Sequence, residues 1–288
     1  MRVVTVLVFL GVATFVFLNF FTSTPEVLPE KQEEVVVRST IPKHQVIGTS
    51  VEGRAIDAYT YGTGKTHLLF VGGIHGGYEW NSVLLAYVFL DYLDKNPMLL
   101  PQNISVTVIP SLNPDGVYKV VGKEGRFAAV DVSTDEEVLA LARFNAHGVD
   151  LNRNFDCNWK PESKWRSKTV SAGTEPFSEP EAEAFRSFVL ANNPTLVVFW
   201  HSQSNAVYAS ECNAGILPGT LDAMNVYAKA SKYPAVKSFS AYAITGDSEG
   251  WLASINIPAI TVELSNHKDI EWQRNFTGTK ALLEHYGK

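Results

Sequence analysis

The stretch THLLFVGGIHGGYEWNSVLLAYVFLDYLDKN, residues 66–96, predicts a strand, a turn and a helix in direct succession. THLLFVGGI is an apolar run typical of a buried strand, and NSVLLAYVFLDYLDKN carries its apolar residues on one side, as a helix does. Between the two stands HGGYE, which places an imidazole and a carboxylate beside two glycines. A polar turn therefore follows an apolar strand directly.

The rest of the chain continues this alternation of strands and helices. Further predicted strands are HQVIGTSVEG, RAIDAYTYG, ISVTVIPSL, PTLVVFWHS and PAITVEL. Further predicted helices are SEPEAEAFRSFVLANN, which begins with a Ser cap at Ser178, the short segment DEEVLALARF, and a last helix over about 269–286. The pattern predicts an α/β fold, a three-layer α/β/α sandwich around a mixed, largely parallel twisted sheet.

Polar residues stand at the ends of three predicted strands. His75 follows LLFVGGI, His201 follows LVVFW, and Glu263 lies within AITVEL. Because ligands bind outside the carboxyl ends of strands in such sheets, we expect these three residues to converge.

The composition bounds the class of protein. The chain has 288 residues with 45% hydrophobic content, enough for one catalytic-size domain, which we place at residues 41–288. The formal net charge is −6, and no basic cluster of the kind that neutralises phosphates is present. These features argue against nucleic acid as a partner. We expect the protein to be a monomer.

The first 21 residues are predominantly apolar and predict a membrane anchor. The apolar run from Val3 to Phe21 would span roughly 28 Å as a helix, and the flanking charges direct the bulk of the chain out of the cytoplasm. A cleaved signal peptide, which would give a secreted protein, is the alternative. Residues 22–40 then form a linker. Cys157 and Cys212 would lie in an oxidising compartment, either as a disulfide or as two buried thiols.

GTGKT, residues 62–66, imitates the end of a phosphate-binding loop. The first glycine of that motif would have to stand where the chain has Tyr59, and a strand follows instead of a helix. We interpret GTGKT as a hairpin turn.

Five motifs in order resemble the zinc carboxypeptidase family. They are HGGYE (75–79), NPDG (113–116), GVDLNRNF (148–155), FWHS (199–202) and TVEL (261–264), and the resemblance covers about residues 44–286. It implies that His75 and Glu79, interpreted as the family's H-x-x-E pair, bind one zinc ion together with His201. Two imidazoles and a carboxylate, with water in the fourth position, form a catalytic zinc site.

The resemblance also implies the catalytic roles. Glu263 corresponds to the general base that takes a proton from zinc-activated water. Arg143 corresponds to the arginine that stabilises the oxyanion, with Arg126 as the alternative. Zinc lowers the pKa of bound water to roughly 7, so a nearby carboxylate can complete its activation.

The substrate-binding residues follow from the same resemblance. Asn152 and Arg153 correspond to the pair that holds the substrate's terminal carboxylate, a task that suits the planar guanidinium. Tyr242 corresponds to the mobile lid tyrosine. Asp247 and Glu249 fall where the pocket for the last side chain lies, and an acidic floor favours a side chain that ends in an ammonium group. Asp247 could instead cap a helix.

The sequence thus predicts a zinc-dependent, membrane-anchored, extracytoplasmic metallocarboxypeptidase that removes C-terminal residues from peptides. A murein peptide amidase, which would cut the γ-D-glutamyl–diaminopimelate bond of cell-wall peptides, shares the same catalytic residues. A peptide-binding domain without turnover is the third alternative.

Overall fold

The structure is a computed structural model that describes residues 42–288. The predicted anchor at 1–21 and the linker at 22–40 lie outside the described residues. Among the helices of the described part, none combines the length and the apolar character that crossing a bilayer requires.

The strands and helices alternate as the sequence predicts. The strands are β1 Lys43–Thr49, β2 Ala55–Tyr61, β3 Thr66–Val71, β4 Ile104–Ile109, β5 Glu162–Trp165, β6 Lys168–Ser171, β7 Leu196–Ser202, β8 Ala206–Ala209, β9 Glu211–Cys212, β10 Gly215–Ile216, β11 Ala235–Val236 and β12 Ala259–Leu264. The helices are α1 Trp80–Lys95, α2 Pro114–Val121, α3 Glu136–Leu141, α4 Pro180–Asn192, α5 Pro218–Ser231, α6 Ser248–Ser254 and α7 Trp272–Tyr286.

Eight strands form the central sheet in the order β1-β2-β4-β3-β7-β12-β8-β11. The four central strands, β4, β3, β7 and β12, are mutually parallel, and antiparallel neighbours flank them on both sides. Helices cover both faces of the parallel strands, so β4 and β7 are buried along their whole length, and β7 is apolar from Leu196 to Trp200. The predicted mixed α/β sandwich is therefore confirmed.

Alternate residues of β3 belong to the two cores of the sandwich. Leu68 and Phe70 pack with the helices α1, α5 and α7 on one face, while Leu69 and Val71 pack with α4 and α6 on the other. The alternation follows from the period of two along a strand. With both faces covered, the open place for chemistry is the edge where the parallel strands end.

The turn GTGKT is not a hairpin. It joins β2 to β3, but β4 lies between these two strands and pairs with both. Its glycines allow a close backbone approach: a Cβ on Gly64 would lie 2.0 Å from the carbonyl carbon of Asn103. The hairpin interpretation fails because the partner strand comes later in the sequence.

Three helix boundaries differ from the predictions. Helix α4 begins after Glu179, without a side-chain cap, because the Ser178 hydroxyl instead binds Glu179 and Asn154. Helix α7 begins at Trp272, after a turn in which the Asn266 side chain accepts two backbone N–H groups. Arg143 lies two residues beyond the end of α3.

Candidate metal centre and active site

His75, Glu79 and His201 meet at the carboxyl edge of the sheet. Their candidate ligand atoms all lie within 4.8 Å of one another, and all three side chains are buried. His201 lies at the end of β7, and His75 follows β3 after Gly72 and Gly73. The predicted triad therefore forms in space.

The spacing of the first two ligands differs from the prediction. Three residues, not two, separate His75 from Glu79, so the motif is H-x-x-x-E. The extra residue is taken up in a 3-10 turn over Gly76–Glu79, directly before α1. Gly76 has φ 49°, and a Cβ on Gly77 would lie 2.4 Å from Cγ2 of Val120 in α2. The glycines are thus required by backbone conformation and by close packing.

Two further carboxylates contact the imidazoles. Asp150 Oδ1 lies 3.5 Å from His75 Nδ1, and Glu249 Oε1 lies 3.2 Å from His201 Nε2. Metal-binding histidines commonly hold a carboxylate with the nitrogen that does not bind the metal. The sequence analysis did not identify Asp150, although it stands inside the GVDLNRNF motif.

The cluster fits a zinc ion. Within residues 42–288, His75 Nδ1, Asp150 Oδ1 and His201 Nε2 are buried polar atoms without an aligned hydrogen-bond partner. These nitrogens face Asp150 and Glu249, which leaves the second nitrogen of each ring for a metal ion. Two nitrogen donors and one carboxylate also match the donor set of catalytic zinc.

Electrostatics around the two imidazoles differ. Burial and the charge of Arg143 hold the pKa of His75 well below its ordinary value, so its ring is neutral, as a ligand must be. Burial alone would lower the pKa of His201, but Glu79 and Glu249 outweigh it and raise that pKa well above the ordinary value. Without metal, a proton on His201 offsets the carboxylates, and a bound cation takes over that role.

Arg143 faces the metal cluster, the group formed by His75, Glu79 and His201. Its Nε donates to Asp150 Oδ2 at 2.9 Å, and its Nη1 lies 3.8 Å from Glu79 Oε1. Arg126 instead pairs with Asp91 and is half exposed. Of the two predicted candidates, only Arg143 lies beside the metal cluster.

Glu263 lies next to the metal cluster on β12, directly across from His201 of β7. Its Oε2 accepts a hydrogen bond from the backbone N–H of Ser204 at 3.1 Å. Burial, reinforced by the charge of Glu79, raises the pKa of Glu263 to about 7. A carboxylate with a pKa near neutrality can both take and return a proton.

Asn152 and Arg153 line the same cavity, in a 3-10 turn over Leu151–Arg153. Asn152 Oδ1 accepts hydrogen bonds from the backbone N–H and the hydroxyl of Ser248, at 2.8 and 2.9 Å. Arg153 donates to the carbonyl oxygens of Lys164 and Asn152. Both side chains are held in place before any ligand binds.

The two predicted pocket acids have different environments. Asp247 caps α6, because its Oδ2 accepts the backbone N–H of Gly250 at 2.8 Å. Glu249 lies deeper, and its Oε1 accepts a hydrogen bond from the Thr261 hydroxyl at 2.9 Å. Although burial opposes it, contact with His201 lowers the pKa of Glu249 to about 2, so this acid is charged.

One cavity of about 800 Å³ contains the whole constellation. It is lined by all ten predicted site residues, namely His75, Glu79, Arg143, Asn152, Arg153, His201, Tyr242, Asp247, Glu249 and Glu263. Tyr242 stands on its rim with its ring 4.9 Å from that of Phe239. The cavity wall also holds the disulfide between Cys157 and Cys212, which settles the two alternatives for these cysteines.

Comparison with known proteins agrees with this site. A family model described as zinc carboxypeptidase matches residues 37–285. Gamma-D-glutamyl-L-diamino acid endopeptidase 1 of Lysinibacillus sphaericus is 24% identical over 76% of this chain and 60% of its own length. Murein peptide amidase A of Escherichia coli K12 is 31% identical over 42% of this chain and 50% of its own length. The chain thus spans 60% or less of these two relatives.

Solved structures share the fold. Murein-tripeptide amidase MpaA from Escherichia coli O157 superposes with a TM-score of 0.60 at 24% identity, covering 83% of this chain and 91% of that chain. Thrombin-activatable fibrinolysis inhibitor gives a TM-score of 0.65 at 21% identity, with 86% and 68% covered. At these identities the likeness concerns the fold alone.

Proposed function

Because the chain belongs to the zinc carboxypeptidase family, we propose that it is a zinc hydrolase that cuts the amide bond before a C-terminal diamino-acid residue. Its first candidate substrate is a cell-wall peptide with a γ-D-glutamyl–diaminopimelate bond. The second candidate is an ordinary peptide that ends in lysine. Both leaving residues carry a terminal carboxylate and a side-chain ammonium group.

One observation carries this proposal: the leaving-residue pocket combines a carboxylate-binding pair with a buried, ionised acid. Arg153 and Asn152 offer donors to a carboxylate, and Glu249 offers negative charge deeper in the same cavity. A diamino acid offers a partner to both groups, whereas an apolar residue leaves Glu249 with only its contacts to His201 and Thr261. We infer that the additional charge pairing favours an ammonium-ended residue over an apolar one.

The named relatives favour the cell-wall substrate as the first candidate. One is described as acting on a γ-D-glutamyl–L-diamino acid, and another as a murein peptide amidase. The predicted anchor, together with a disulfide that suits an oxidising compartment, supports placement outside the cytoplasm, where cell-wall peptides lie.

The residues divide the chemistry among themselves. His75, Glu79 and His201 would hold zinc, which would supply Lewis-acid chemistry and lower the pKa of a water molecule. Glu263 takes a proton from the attacking water as the water oxygen bonds to the amide carbon, and Arg143 stabilises the negative charge that develops on the carbonyl oxygen. Glu263 then returns the proton to the amide nitrogen as the C–N bond breaks. Water and amide become carboxylic acid and amine.

The test compares four substrates. They are an N-acylated dipeptide ending in lysine, the same dipeptide ending in norleucine, a phenylalanine-ended dipeptide, and L-Ala-γ-D-Glu-meso-diaminopimelate. We expect the zinc-loaded protein to prefer lysine over norleucine and to cut the cell-wall tripeptide fastest. Glu249→Gln should reduce the lysine preference by roughly tenfold or more, because it removes the buried charge that pairs with the ammonium group.

Asp247→Asn is the matched control, since it removes a neighbouring charge but keeps a helix-capping side chain. It should leave the lysine preference unchanged. Cleavage of the lysine dipeptide without cleavage of the tripeptide would assign an ordinary carboxypeptidase. Zinc binding without turnover on any substrate would support the non-catalytic peptide-binding domain instead.

A further inference from the structure

Strand β5 contacts both the residues of the leaving-residue pocket and Arg143, which lies beside the metal cluster. Ser163 accepts a hydrogen bond from Thr245, beside the leaving-residue pocket, and the carbonyl oxygen of Lys164 binds Arg153. Next along the strand, the Trp165 ring lies 4.7 Å from the guanidinium carbon of Arg143. Arg166 follows Trp165 directly, in the turn after β5.

The region past the metal is therefore the acyl side of the cavity. When the leaving residue occupies the pocket at Arg153 and the scissile amide lies at the metal, the acyl part of the substrate extends the opposite way. Tyr78 and Trp165 line this side, with ring centroids 5.1 Å apart in an edge-to-face arrangement. Together they form an apolar wall suited to methylene groups.

Arg166 completes this side of the cavity. It lines the cavity wall, and it is among the charged groups whose field acts on Tyr78 and His267. In residues 42–288 its guanidinium has no ion pair within 4.0 Å and no hydrogen bond. A cation is thus available at the acyl side without a carboxylate of the protein to neutralise it.

The backbone at Arg166 supports a functional role. Arg166 and Ser167 form the two-residue turn between β5 and β6, and Arg166 has φ 56°. Tight hairpin turns with positive φ at this position favour glycine or asparagine. A bulky residue in a sparsely populated conformation is typical of sites where its side chain has a task.

We propose that Arg166, with Tyr78 and Trp165, binds the free α-carboxylate of a γ-linked glutamyl residue on the acyl side of the scissile bond. A γ-glutamyl linkage leaves this carboxylate about 5 Å from the scissile carbonyl carbon, by ordinary bond lengths. The intervening methylene groups lie along the two aromatic rings. This inference rests on the proposed function and adds the recognition of the acyl residue to it.

The test uses a matched pair of substrates with the zinc-loaded full-length protein. L-Ala-γ-D-Glu-meso-diaminopimelate is compared with the peptide in which the α-carboxylate is a carboxamide, so one charge changes and the scissile bond does not. We expect kcat/KM to be about tenfold higher for the carboxylate peptide than for the carboxamide peptide. This ratio is at the lower end for a charge-assisted hydrogen bond because Arg166 is exposed. Arg166→Gln should abolish the preference, and Arg166→Lys should keep part of it.

Lys168→Gln is the matched control. Lys168 Nζ lies 5.4 Å from the centre of the Trp165 ring on the same hairpin, but Lys168 does not line the cavity, so removing its charge should leave the preference intact. If Arg166→Gln keeps the tenfold preference, the proposal is wrong.

Binding of both peptides to the zinc-loaded Glu263→Gln variant separates this proposal from the proposed function. If wild-type protein cuts neither peptide but the variant binds the carboxylate form more tightly through Arg166, the proposed function fails and the binding site stands. If neither peptide binds, both fail.

Discussion

The metal cluster and the leaving-residue pocket at Asn152 and Arg153 line the same cavity. They differ in how many of their polar atoms already have hydrogen-bond partners. Among residues 42–288, His75 Nδ1 and His201 Nε2 of the cluster face carboxylates without an aligned hydrogen bond. In the pocket, Asn152 Oδ1 accepts two hydrogen bonds, and Arg153 donates to two carbonyl oxygens. The cluster is completed by an ion, whereas the pocket keeps its shape without a ligand.

The largest expected effect comes from breaking the cluster. His201→Ala should abolish stoichiometric zinc binding and reduce turnover by roughly 10³-fold, because Lewis-acid assistance contributes several kcal/mol to the barrier. Zinc content measures the first effect and kcat/KM the second. Thermal unfolding provides a further measure, since zinc should raise the Tm of the wild type and not that of the variant.

His147→Ala is the control for this comparison. His147 pairs with Glu179 and does not line the cavity. Its variant should bind zinc as the wild type does. Equal zinc binding by both histidine variants would contradict the assignment of His201.

The next effect separates the base from the metal ligands. Glu263→Gln should lower kcat by about 10²–10⁴-fold while zinc content stays unchanged. Because the base acts as a carboxylate, activity should rise with pH through the pKa of Glu263. That pKa is about 7 without metal, and the charge of zinc moves it lower. Stopped-flow rates from pH 4 to 8 should show this rise in the wild type, and a Gln variant with the same pH profile would argue against the role.

The smallest effect concerns the stability of the pocket side. Asp247→Ala removes the cap of α6 and should lower the free energy of unfolding by about 1 kcal/mol, whereas Asp247→Asn keeps the cap. Burial and the charge of Glu249 raise the pKa of Asp247 to about 6, above its unfolded value. The stability that the protonated Asp247 carboxyl contributes is therefore fully present below its unfolded pKa and is lost as pH rises through about 6.

Urea unfolding of both variants at pH 4 and pH 7 checks this expectation. The Asn variant should gain stability relative to the wild type at pH 7 compared with pH 4. A difference that does not change with pH would show that the charge of Asp247 costs nothing in the folded state.

The sequence was sufficient to predict the sheet and the site residues that line the cavity. Buried parallel strands are continuous apolar runs, and the polar residues at their ends must meet at one edge, so His75, His201 and Glu263 could be placed together from sequence. Recognition of the family motifs added the remaining site residues. Their positions in the cavity agree with that prediction, while their roles stay predictions.

Other features depend on tertiary contacts that no local pattern reveals. The position of Asp150 beside His75 and that of Arg166 at the cavity wall follow from how distant segments pack. Helix α5 begins with Pro218 and Gly219, a pair that usually marks a turn, although proline is well tolerated at the first helical position. Ser178 looked like a helix cap, but the fold uses its hydroxyl elsewhere.

The one-residue expansion between His75 and Glu79 bears on how such enzymes are found in genomes. A text search written for two intervening residues would pass over this chain, although its donor atoms converge. Positions three and four apart both face one side of a helical turn. The geometry of the donor atoms is therefore kept although the number of intervening residues differs. A search based on three-dimensional structure would find family members that a sequence-pattern search misses.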